Sequence, residues 1–166
     1  HRIGWILLAG LAAAGPAPAQ VQLTCRLAHQ RLVLHEPAMI TLTVENQLAV
    51  PLNLAGTPDA PALTFDVERS PGRLLSPSGA PLFSEPVWIA PQGTRTFQFD
   101  LRLHYPIREE GPYSVNARLA LPDRALTSSK LFFDVVPGLA ILSLTAGTRD
   151  PAEGVRKYSL VSVSRE

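Results

Sequence analysis

Apolar and polar residues alternate with a period of two along most of this chain. Val21-Gln22-Leu23-Thr24-Cys25-Arg26-Leu27 alternates without a fault, which is the spacing of a half-buried strand. Leu32-Val33-Leu34 predicts a short edge piece, and the proline of His35-Glu36-Pro37 turns the chain. From Met39 to Asn46, Ile40, Leu42 and Val44 point inward while Thr41, Thr43 and Glu45 point out. Val50–Leu54 contains Pro51, which confines that strand to an edge or puts the proline at its start. Leu63–Arg69 alternates again, and Ser70-Pro71-Gly72-Arg73 carries turn chemistry that returns the chain through Leu74-Leu75. Between Ser76 and Pro91 the pattern dissolves, with Pro86-Val87-Trp88-Ile89 as its only apolar island. Phe97 to Tyr105 then reads as one long strand with Phe97, Phe99, Leu101, Leu103 and Tyr105 on one face. Lys130–Val136 closes the series, with Leu131, Phe133 and Val135 inward.

About seven or eight short strands between turns predict an all-β fold, a two-sheet antiparallel β-sandwich. Its organising strand is Glu109-Glu110-Gly111-Pro112-Tyr113-Ser114-Val115-Asn116-Ala117-Arg118-Leu119. The strands 97–105 and 131–135 are its expected neighbours in one sheet. This stretch resembles the D-x-G-x-Y-x-C signature of immunoglobulin-like domains. Glu109 takes the acidic place, Gly111 and Tyr113 match, and Val115 replaces the cysteine. The resemblance implies a tyrosine corner, in which the Tyr113 hydroxyl bonds backbone upstream of it. The partner cysteine is replaced by the row Ile40, Leu42, Val44, so the chain looks like a disulfide-free immunoglobulin-like or fibronectin-type-III-like bacterial module. Over residues 32–121, Glu36-Pro37, the strand ending in Asn46, Pro91-Gln92-Gly93 and Gly111-Pro112-Tyr113 are also similar to the Bacillus intracellular proteinase inhibitor domain.

Composition sharpens the class. The 166 residues are 46% hydrophobic and 17% charged, with 16 prolines and 11 glycines punctuating the chain too often for a helical bundle. A net charge of +1, with no basic cluster, offers no footprint for nucleic acid or for an anionic membrane. Arg2, the apolar run Ile3–Ala14 and the A-x-A site at Ala17-Pro18-Ala19 match a secretory signal peptide. That run is shorter than a membrane-spanning helix needs. The expected division is therefore a signal peptide over 1–19, a sandwich over 20–137, and a linker or the start of a further segment over 138–166. The address is periplasmic or extracellular. Cys25 is the only cysteine, so no internal disulfide exists. Leu23-Thr24-Cys25 has threonine where lipoproteins have Gly or Ala, and Cys25 reads instead as a small core residue.

Chemical signals are weak. His29, His35, His104 and Glu36 lack the paired spacing of zinc ligands, and no calcium-loop pattern occurs around Asp123 or Asp150. No G-x-S-x-G motif is present. Glu109-Glu110 could pass for catalytic carboxylates, but as neighbours in a turn they read as structural. No cofactor, metal or catalytic residue is expected. Two aromatic residues are candidate contact points. Trp88 either closes one end of the core or offers an exposed indole for a sugar ring or a protein. Phe132 lies on the outward row of the last strand and suggests contact with the C-terminal tail or a neighbouring domain. The leading expectation is a non-catalytic module for structural or protein-interaction roles within a larger exported protein. Alternatives are an inhibitor presenting the 76–91 loop and a carbohydrate binder using Trp88.

Overall fold

A computed structural model describes residues 21–57, 60–78, 81–147 and 155–162. Residues 1–19, the expected signal peptide, lie outside them. Two sheets face each other. One contains β1 (Val21–Leu27), β3 (Met39–Asn46) and β8 (Gly93–Asp100), in the order β1-β3-β8. The other contains β2 (Arg31–Val33), β11 (Leu131–Val136), β9 (Gly111–Ala120), β5 (Leu63–Arg69) and β6 (Arg73–Leu74), ordered β2-β11-β9-β5-β6. In immunoglobulin lettering the first runs A-B-E and the second A′-G-F-C-C′. All pairings in the two sheets are antiparallel except β2, which runs parallel to β11. The all-β, disulfide-free sandwich anticipated from alternation is the fold observed.

The inward rows are those that alternation picks out. Ile40, Leu42 and Val44 of β3 are fully buried opposite Leu63, Phe65 and Val67 of β5 and Val115, Ala117 and Leu119 of β9. Cys25 of β1 is buried, near Ser128 and the Ala117 backbone, and desolvation pushes its thiol pKa up. Packing of this kind, without a covalent bridge, joins the sheets.

Two expectations need correction. The segment 97–105 is not one strand. Asp100 accepts hydrogen bonds from Arg102 N–H (3.0 Å) and Ala38 N–H (2.9 Å), so its carboxylate caps a helical turn, α1 (Leu101–His104). Leu103 consequently leaves the inward row and is 71% exposed. Nor is that segment a neighbour of β9. β8 belongs to the opposite sheet, and β9 is flanked by β5 and β11.

Beyond the turn, Tyr105 is buried and takes up the free edge of β5. Phe65 stands opposite Ala117, whose N–H donates to Ser128 Oγ (2.9 Å) and whose carbonyl accepts from Ser128 N–H (2.9 Å). Phe65 therefore turns its own amide and carbonyl to the other side of β5, where β6 has ended. There the Tyr105 hydroxyl accepts from Phe65 N–H (3.1 Å) and donates to Phe65 C=O (2.6 Å). Burial raises the phenol pKa, so the hydroxyl stays neutral and able to donate.

Three short or separate pieces complete the fold. β4 (Leu52–Asn53) pairs with β7 (Trp88–Ile89), and Pro51 sits just before its strand, as a residue without an N–H must. β10 (Ala125–Thr127) folds back on the end of β9. β12 (Leu139–Gly147) and β13 (Val155–Ser162) form an antiparallel hairpin, a sheet of their own. Gly138, at φ +72, turns the chain into it, and a Cβ there would meet the Val33 side chain at 3.1 Å. Among the described residues, no helix is long and apolar enough to cross a membrane.

Candidate functional site

Two apolar surfaces stand out, one on the sandwich and one on the hairpin. The first is a groove of about 550 Å³ at the end of the sandwich where β4, β7 and the β9–β10 turn meet. Val50, Pro51, Trp88, Leu121 and Pro122 are among its apolar walls; Asn53, Thr57, Asp123 and Arg124 are its polar members. Trp88 is 55% exposed, while the next residue, Ile89, is buried. The reading in which Trp88 closes the core is therefore corrected. Alternation along β7 turns Ile89 inward and leaves the indole in the groove.

Asn46 positions this groove. Its side chain is fully buried at the end of β3, and the two hydrogens of its amide nitrogen are shared among the carbonyls of Val50 (2.9 Å), Ile89 (3.2 Å) and Ala90 (3.1 Å). Its oxygen accepts from Leu48 N–H at 3.1 Å. One side chain thus ties the chain leading into β4 to the end of β7. The sequence marks Asn46 only as a strand end, and nothing local announces that its amide reaches across 44 residues to Ala90.

The second surface is the hairpin. Register places Leu142 opposite Leu160 and Leu144 opposite Tyr158 on one face, with Ser143 opposite Ser159 on the other. Leu142 and Leu160 are 62% and 59% exposed, and every residue of 139–144 and 158–162 is exposed. The apolar run 139–145 and a strand over 158–163 are visible in the sequence. Their pairing into one ribbon is not, although Gly147–Gly154 reads as a polar loop between them.

Phe132 projects from the outer face of β11 and is 68% exposed. It borders a shallow hollow of about 180 Å³ with Glu68, Pro112, Tyr113 and Lys130, and no residue of the hairpin lines that hollow. Among the described residues, no contact between Phe132 and the tail is seen at this hollow. Lys130 is ion-paired with Glu68 at 3.0 Å beside it.

The Gly111-Tyr113-Val115 stretch serves architecture. Gly111 opens β9 at φ +128, a conformation that side-chain-bearing residues rarely adopt. The Tyr113 hydroxyl donates to the Glu109 carbonyl at 2.7 Å, and its ring stacks on Phe133 with centroids 5.4 Å apart. Val115 is fully buried between the sheets. The Glu109 carboxylate pairs with Arg69 (2.7 Å) and Arg73 (3.4 Å), while Arg69 also donates to the Glu110 carbonyl. The acidic turn therefore docks on the two arginines at the end of β5 and start of β6.

The 76–91 segment does not stand free of the core. Phe83 packs edge-on against Phe97 and Phe99, with ring centroids 5.3 and 5.7 Å apart, and Ser78 N–H donates to the His104 carbonyl. His35 lies 3.3 Å from the Arg102 guanidinium, and the His104 ring meets Phe99. Among the described residues, no three His, Cys, Asp or Glu side chains converge where they could hold a metal ion. Asp150 lies outside the described residues.

No family model and no curated protein matches the chain. Among solved structures, it is similar to a CARDB domain from Pyrococcus furiosus, solved in complex with di-metal ions. The identity is 13% and the TM-score 0.44, over 81% of this chain and 100% of that one. It is also similar to part of a β-glucosidase from Listeria innocua, solved in complex with glucose. There the identity is 14% and the TM-score 0.46, over 73% of this chain but only 16% of the glucosidase.

Proposed function

We infer that this protein is a non-catalytic, exported β-sandwich module that joins a protein partner through its C-terminal hairpin. The carrying observation is the face formed by Leu142, Leu144, Tyr158 and Leu160, which nothing among the described residues covers. An isolated two-stranded hairpin is marginally stable in water, and an amphipathic one gains stability only when its apolar face is buried. An apolar patch flanked by two strand edges suits another β-structure, which can pack on the patch and hydrogen-bond to an edge. Export rests on the Arg2 start, the apolar run Ile3–Ala14 and the A-x-A site at 17–19. Together they favour a role within a larger periplasmic or surface protein assembly.

The test is site-specific photo-crosslinking in cells carrying the full chain. A crosslinker at position 142 or 160 is expected to give a discrete higher-mass species. The same probe at Thr43, on the polar outer face of β3, is expected to give none. Leu144→Ser with Tyr158→Ser should abolish the adduct without changing the level of folded protein. If positions 142 and 160 yield no adduct, or only the pattern seen from 43, the hairpin is not a docking element.

A further inference from the structure

We draw no further inference here: the strongest candidate, the groove of about 550 Å³ beside Trp88 at the end of the sandwich, mixes apolar walls with the charged Asp123 and Arg124, and nothing in the structure shows what covers it.

Discussion

Replacing Asn46 with leucine is expected to lower the unfolding free energy by about 2–4 kcal/mol, although leucine has nearly the same size and fits an apolar surrounding. The loss comes from the partners left behind. The Val50 carbonyl and the Leu48 N–H lose the amide, whereas the Ala90 carbonyl keeps its bond from Gly93 N–H and Ile89 keeps its ladder pairing with Leu52. Buried backbone groups without partners cost more than the bond itself contributes. The same change should loosen the groove, because Asn46 holds the start of β4 and the end of β7 together. Asn46→Asp should be worse at neutral pH and recover as pH falls, since only the protonated carboxyl can donate to the carbonyls. Urea unfolding followed by circular dichroism measures both; an Asn46→Leu midpoint equal to that of the parent would refute this role.

Tyr105→Phe is the second large effect, with an expected cost of about 2–4 kcal/mol. The ring stays, and one oxygen is lost. That oxygen serves both the N–H and the C=O of Phe65, at a place on the edge of β5 where no strand follows. Tyr113→Phe removes a single bond to a partly buried carbonyl and should cost nearer about 1 kcal/mol. The order of the two is the sharper expectation. Unfolding curves in which Tyr113→Phe is the more damaging variant would show that the corner, not the β5 edge, carries the larger share.

That order also shows how far the sequence could be read. The strands were legible because period-two alternation is a local signal, and β1, β3, β5 and β11 fall where it puts them. The tyrosine corner was legible because Gly111 and Tyr113 stand two residues apart in a recognisable turn. Tyr105 was misassigned for an equally physical reason. A capped helical turn of four residues can be inserted without disturbing an apolar-polar pattern, and only the Asp100 carboxylate marks the break. Asn46 and Tyr105 bond backbone far away in the chain, so their roles depend on contacts that no local window of sequence contains. The groove was half legible: Trp88 drew notice, but Val50, Pro51, Leu121 and Pro122 come together only through the pairing of β4 with β7 and the turn after β9. The hairpin's exposed face was hidden until β12 and β13 were seen to pair with each other.

The account holds that the sandwich is complete by itself and that the hairpin exists to meet something else. Ending the chain after Pro137 and measuring urea unfolding beside the full chain tests this directly. The truncated protein should unfold within about 0.5 kcal/mol of the parent, because the hairpin's apolar residues are exposed and contribute little burial. It should also lose the binding of a hydrophobic dye that Leu142, Leu144, Tyr158 and Leu160 support. A loss of more than about 2 kcal/mol on truncation would mean that the hairpin packs on the sandwich as part of its core, and would contradict the account.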